Sequence, residues 1–441
     1  MTPDANRVGP WLVAHEGWYG PPLGHGARLE LVPWLAAHGY DGYAHAPKDD
    51  PQHRARWREP YSPDAMAQFR ELREACDDAA MDLVAMVSPG LDWRGDSDDV
   101  DALVAKLRAF RDLGVRALAV NWDDVPGDGP AAGAVHGAAV AAAVDRVGRD
   151  LRWLAAPVDY ATAHATPYLE AFAAELPDHV EVLWTGASVV SPVIGADDHA
   201  ALVAALRRRV AIAENFPVND LGMADVLHLG PYPRRDPALR EAVGTVAVNF
   251  MHRPWASRVG LAVAAAFWRG DNDRERAWTA AVAEQPGLEP LARACRAWVD
   301  QPGPDAELAA WAQDAIAGAD AAAGGALLRA FLSAGCRDGL TAELVDEVEP
   351  WLARWDEEAA AMLDALDVLA RPANGIQAVW AGAGRWARCR RPGPQVFGTR
   401  FARYPVTRRS GDELVADRGA VVHGENLTDR LWSAAIDRLG T

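Results

Sequence analysis

Eight short apolar runs punctuate about the first 270 residues: WLVAH (11–15), YDGYAHA (40–46), LVAMV (83–87), ALAVNW (117–122), LRWLAAP (151–157), VEVLW (180–184), RVAIAE (209–214) and GTVAVNF (244–250). Each ends in polar residues. Stretches with helical spacing follow, such as MAQFRELREACDDAA (66–80) and VDALVAKLRAFRDLG (100–114). Runs this short and this continuously apolar read as strands buried on both faces. Eight such strands alternating with helices predict an α/β protein with parallel pairing, a (β/α)8 TIM barrel. A doubly wound open sheet is the competing fold. The count of eight, and the absence of a GxGxxG loop after the first run, favour the barrel.

The strand pattern stops near residue 275. From there to 370 Ala, Leu, Glu and Trp recur at helical spacing, as in EVEPWLARWDEEAAAMLDALDVLA (347–370), which predicts a helical bundle. The expected organisation is therefore a barrel over 1–272, a C-terminal helical domain over 273–370, and an appendage over 371–441. That last segment is broken by PGP and crowded with Arg385, Arg388, Arg390, Arg391, Arg400, Arg403, Arg408 and Arg409. A solvated, loop-rich appendage and a docking surface for an acidic partner are the two readings of it.

Composition narrows the function. A net charge of −18 argues against a nucleic-acid binder or an anionic membrane surface. No run of about 20 apolar residues could span a bilayer. The N-terminus carries no basic-then-apolar leader pattern, and the four scattered cysteines show no CxxC spacing, so reduced thiols and a cytoplasmic location are expected. The histidines show no HxH or HExxH spacing, so neither a metal nor a cofactor is expected. Of the 44 basic residues only Lys48 and Lys106 are lysines.

A barrel of this kind works at the C-terminal ends of its strands. The residues there are His15, Glu16 and Gly17; Pro47, Lys48, Asp49 and Asp50; Ser88 and Pro89; Asp123 and Asp124; Asp159 and Tyr160; Trp184, Thr185 and Gly186; Asn215, Asn219 and Asp220; and Asn249. A mouth so rich in hydrogen-bonding groups suits a polyhydroxylated ligand, a sugar. Singly, most are also ordinary turn and capping residues. Two adjacent aspartates exceed what one cap needs, and Lys48 offers a compact ammonium in a chain that otherwise uses Arg. Trp18, Trp57, Trp122, Trp184 and Trp255 near strand ends could stack on a sugar face or belong to the core. Glycosidic cleavage needs a proton donor and stabilisation of positive charge at the anomeric carbon. Adjacent aspartates are badly placed to flank a scissile bond from opposite faces. They fit the substrate-assisted variant, in which a 2-acetamido carbonyl is the nucleophile, one Asp polarises its N–H and the other protonates the leaving group.

EGWYGPP (16–22), HAPKDDPQHRARWREPY (45–61), NWDDV (121–125), LWTGASVVS (183–191), ENFPVND (214–220), LGPY (229–232) and VNFM (248–251) together resemble glycoside hydrolase family 84, the protein O-GlcNAcases and bacterial β-N-acetylglucosaminidases. The resemblance spans the predicted barrel and is weak beyond residue 270. It implies a retaining exo-hydrolase that removes terminal β-GlcNAc from a glycoconjugate or small glycoside through an oxazoline intermediate. It makes Asp123 the polarising residue and Asp124 the acid, then the base. Asn215 would hold the acetamido group, Tyr160 the reacting acetamido oxygen, Asp220 with Asn249 the 4- and 6-hydroxyls, and Gly17 and Lys48 further hydroxyls. Thr185 joins the substrate-binding set from its place at a strand end. Three positions depart from the family pattern. Ala213 replaces an aromatic, Ala156 a residue that is often Cys, and His45 a Tyr. The alternatives are a hydrolase of another 2-acylamino sugar with an enlarged acyl pocket, with Trp122 a possible filler of the gap, and a non-catalytic GlcNAc-binding protein.

Overall fold

The computed structural model describes residues 9–318, 322–371, 375–400, 402–410, 413–422 and 425–439. Strands β1 (Trp11–Glu16), β2 (Gly42–His45), β3 (Asp82–Val87), β4 (Ala117–Asn121), β5 (Arg152–Ala156), β6 (Glu181–Trp184), β7 (Val210–Glu214) and β8 (Thr245–Asn249) lie within or one residue beyond the eight predicted runs. All pair in parallel, each with its neighbours in sequence, and β1 closes on β8 with Trp11 opposite Thr245 and His15 opposite Asn249. The barrel is the expected one. Alternate residues explain the unbroken apolar runs. Val13, Ala44, Met86, Ala119, Leu154 and Ala211 fill the interior, while Leu12, Tyr43, Leu118 and Trp153 face the helices.

Helices α1 (His25–Ala37), α2 (Pro63–Asp78), α3 (Ser97–Asp112), α4 (Gly129–Val147), α5 (Pro167–Glu175), α6 (Ala196–Leu206), α7 (Leu239–Ala242) and α8 (Pro254–Trp268) follow the strands in turn. Both α2 and α3 begin three residues before the apolar pattern does. Their starts are set by capping: Ser62 accepts from the Ala65 amide and Asp96 from the Asp99 amide. The helix α7 is a single turn, and in the long connection before it a short 3-10 turn (Leu221–Met223) borders the barrel mouth.

Beyond the barrel the described chain is helical, the longest helix being Ala342–Ala370, except for an antiparallel pair of strands, Ala402–Ser410 and Glu413–Val422, before the last helix. Within the segment read as loop-rich, helices Gly375–Cys389 and Leu427–Leu439 pack on that long helix. Trp432 is fully buried, and its ring N–H donates to the Ala361 carbonyl. Three of the arginines that suggested an acidic partner meet acids of this chain. Arg385 pairs with Asp364, Arg391 with Glu357 and Arg400 with Glu358. The side chains of Arg403, Arg408 and Arg409 lie outside the described residues. The four cysteines are free and buried, and no described helix is long and apolar enough to cross a membrane.

Candidate active site

Gly17, Lys48, Asp123, Asp124, Tyr160, Thr185, Asn215, Asp220 and Asn249 line one cavity of about 260 Å³ at the C-terminal mouth of the barrel. All nine substrate-site residues expected from the sequence thus converge on one space.

The two aspartates leave the end of β4 with different partners. Asp124 sits in the left-handed region, at φ 55°, which a short polar side chain tolerates better than most. The Arg54 guanidinium braces this turn by donating to the peptide carbonyls of Asp123 (3.2 Å) and Asp124 (2.8 Å). Lys48 Nζ donates to Asp123 Oδ2. Asp123 Oδ1 is buried and accepts no hydrogen bond from the described residues. Burial opposes ionisation of Asp123. The Lys48 charge and hydrogen bond, with Arg54 behind them, outweigh it and hold the carboxyl below the usual range. Asp124 is held by two phenols: Tyr19 donates to Oδ2 (3.0 Å) and Tyr160 to Oδ1 (2.7 Å). Burial and then the Asp124 charge push both phenols above their ordinary range, so they stay protonated donors.

Opposite the aspartates runs a chain of amides. Asn249 donates to Asn215 Oδ1 (3.0 Å) and accepts from the Gly17 amide (3.2 Å), while Asn215 donates to the Val189 carbonyl (2.9 Å). A β-carbon at position 17 would lie 2.5 Å from the His15 ring, so only glycine lets the chain pass there. Burial of His15, and then the nearby Lys48, lowers its imidazole to about 4, so it is neutral at physiological pH. Asp220 accepts the Tyr19 amide (2.7 Å), and burial raises its carboxyl above the ordinary value. Thr185 lines the cavity but spends its hydroxyl on the Ser188 carbonyl (2.8 Å).

Several strand-end residues serve the framework instead. Glu16 pairs with Arg28, Asp50 caps its own turn, Asp159 accepts from Thr166, and Asn219 donates to the Val226 carbonyl. None of the five tryptophans lines the cavity. Trp18, Trp57, Trp122 and Trp184 are core, and Trp255 lies under the Arg258 guanidinium at 3.6 Å. Trp122 therefore does not fill the space beside Ala213. It points outward and stacks on His136 at 4.1 Å. His45 does not line the cavity either, because the parity of β2 turns it outward onto Phe69, where burial lowers its imidazole to about 3. The aromatic groups at the mouth are Tyr19 and Tyr160. The sequence reading did not single out Tyr19 and Arg54, which brace the aspartate pair, although both stand inside the motifs quoted above. Their types and spacing carry no signal of which way they point.

Residues 14–300 match the family model described as beta-N-acetylglucosaminidase. The chain is 30% identical over 249 residues to the protein O-GlcNAcases of rat and mouse, which covers 53% of this chain and 27% of each relative. It thus spans about a quarter of the length of those relatives. Among solved structures, it superposes on a mutant of the Thermobaculum terrenum O-GlcNAc hydrolase with a TM-score of 0.73 at 23% identity, covering 85% of this chain and 87% of that one. It superposes on CpGH84B with a TM-score of 0.75 at 23% identity, covering 87% and 74%. The model spans the barrel, the cavity and all nine converging residues, and this chain belongs to the beta-N-acetylglucosaminidase family that its motifs resemble.

Proposed function

We propose that this chain is a retaining exo-β-N-acetylglucosaminidase acting by substrate-assisted catalysis on terminal β-GlcNAc of a glycoconjugate or small glycoside. The observation that carries the reading is the asymmetry of the aspartate pair. Asp123 lines the cavity as an ionised carboxylate, with one oxygen on Lys48 and the other buried and without a hydrogen-bond partner among the described residues, a carboxylate suited to accept an acetamido N–H. Polarised in this way, the acetamido oxygen attacks the anomeric carbon, with Tyr160 donating to that oxygen. Asp124 delivers its proton to the glycosidic oxygen as the carbon–oxygen bond breaks, leaving an oxazoline. Asp124 then takes a proton from the water that opens the oxazoline, and two inversions at one carbon give retention. The amides of Asn215 and Asn249, with Asp220, Gly17 and Lys48, hold the sugar. Catalysis resides in residues 1–272, and the buried free thiols suit a reducing, cytoplasmic setting.

The test is hydrolysis of 4-nitrophenyl β-N-acetylglucosaminide and of an alkyl glycoside with a poor leaving group, by wild type and Asp124→Asn. The variant should lose about a hundredfold or more on the alkyl glycoside and far less on the nitrophenyl one, because only the former needs protonation. Equal losses would remove Asp124 from the acid role. Inactive wild type that still binds the sugar would point to a binding protein.

A further inference from the structure

Resting on the glycosidase reading above, we propose that Arg235, outside the barrel, is a positioning residue for sugar binding: with Glu214 it clamps the loop after β6 onto β7 and so fixes the amide of Asn215 at the cavity. Side chains alternate along a strand, and this separates the two neighbours at the end of β7. Asn215 turns into the cavity, while Glu214 turns outward to Tyr232 and Arg235. The Arg235 guanidinium takes both carboxylate oxygens of Glu214, Nε on Oε2 at 2.6 Å and Nη2 on Oε1 at 2.8 Å. Its other N–H groups go to the carbonyls of Ser191 (3.0 Å), Pro192 (3.3 Å) and Arg234 (3.0 Å). All five donors of the guanidinium are spent, and both charged side chains are no more than 2% exposed.

Ser191 and Pro192 belong to the loop between β6 and α6. The Ser191 hydroxyl accepts the Ser188 amide (3.1 Å), and beyond Pro192 the loop pairs with the Arg235 segment, Ile194 beside Arg235. The same loop lines the cavity with Val189 and Val190, and the Val189 carbonyl accepts the Asn215 amide at 2.9 Å. The contacts close a ring from Asn215 through Val189, Ser191, Arg235 and Glu214 back along the peptide to Asn215. Inside this ring the Asn215 amide has one orientation. Its nitrogen meets the Val189 carbonyl and its oxygen meets the Asn249 amide, so a flipped amide would set like against like at both contacts. Val189 takes one of the two amide hydrogens, which leaves the other for an acceptor on the sugar. A loop displaced by about 1 Å would lose the Val189 bond and with it that orientation. Lysine offers three donors from a single point and cannot span a carboxylate and carbonyls of two segments as the planar fork does.

The experiment measures KM and kcat for 4-nitrophenyl β-N-acetylglucosaminide, and the Kd of N-acetylglucosamine, with wild type, Arg235→Lys and the double variant Arg235→Met/Glu214→Met. The double variant removes the clamp without stranding a buried charge. In each variant KM and Kd should rise roughly five- to tenfold, the worth of one hydrogen bond to the sugar, and kcat should change less. A purely structural Arg235 would lower kcat with the amount of folded enzyme and leave KM and Kd at their wild-type values, and that result would overturn the proposal. Should Arg235→Lys fail to fold, the double variant decides by the same criterion. Wild type that binds N-acetylglucosamine without turning over the glycoside would sink the glycosidase reading, and the change in Kd would still decide the clamp.

Discussion

Tyr19 is tied to both ends of the candidate site. Its hydroxyl donates to Asp124 and its amide to Asp220. One residue thus connects the carboxyl assigned to proton transfer with the carboxyl assigned to the sugar's outer hydroxyls. If Tyr160 turns its own hydroxyl to the reacting acetamido oxygen, Tyr19 becomes the remaining side-chain restraint on the plane of Asp124. Tyr19→Phe removes one charge-assisted hydrogen bond and should lower kcat about tenfold, with a steeper dependence on leaving-group basicity. A uniform loss across leaving groups would mean that Tyr19 acts on binding or folding and not on the acid. Neither partner of Tyr19 is local, with separations of 105 and 201 residues. The sequence therefore placed Tyr19 in a recognisable motif without indicating what it touches.

Between elements, the most informative joint is the start of α8, immediately beyond β8 and Asn249. The capping position is Arg253, whose side chain does not cap. Glu347, from helix Ala342–Ala370, supplies the acceptors instead, taking the amides of Trp255 (3.1 Å) and Ala256 (2.9 Å). Burial of Glu347 outweighs those amides and the nearby Arg253 and Arg258, so its carboxyl rises to about 7. A carboxyl raised on folding binds its proton more tightly in the folded state. Stability therefore falls as pH rises from the unfolded value, near 4.5, through about 7. Because buried histidines such as His15 and His45 add an opposite slope to both proteins, the readout is the difference in stability between wild type and Glu347→Gln, which should shift against wild type by on the order of 3 kcal/mol between pH 5 and 8. Parallel slopes would mean that Glu347 does not titrate there. No periodicity in either helix announces this cap, because acceptor and donors are about ninety residues apart. The strands were legible because burial on both faces makes eight continuous apolar runs. Helix starts are not legible in the apolar pattern where a cap, and not an apolar face, sets them.

For the whole molecule, the C-terminal helices are joined through a buried charge cluster. Glu358 is 0% exposed and takes both nitrogens of Arg400 at 2.6 and 3.0 Å, along with the Thr428 hydroxyl. Arg400→Leu would strand that carboxylate and should cost about 3–5 kcal/mol in chemical denaturation, with part recovered by adding Glu358→Gln. A loss under about 1 kcal/mol would show that the pair contributes little beyond its surroundings. The same cluster explains why an arginine-rich tail read as a loop or a docking face. The partners of Arg385, Arg391 and Arg400 lie on another helix, and a count of basic residues cannot see them. The sequence by itself determined the barrel, the order of its strands and the set of polar residues at their ends, because periodicity and chain order are local properties. Only the tertiary structure decided which of those residues share the cavity. Strand parity turned His45 outward and Asn121 inward, and packing sent Trp122 onto His136. The left-handed backbone of Asp124, braced by Arg54, gave two neighbouring carboxylates different partners. Direction in a closed barrel is set by pairing around the whole ring, and no window of the chain contains it.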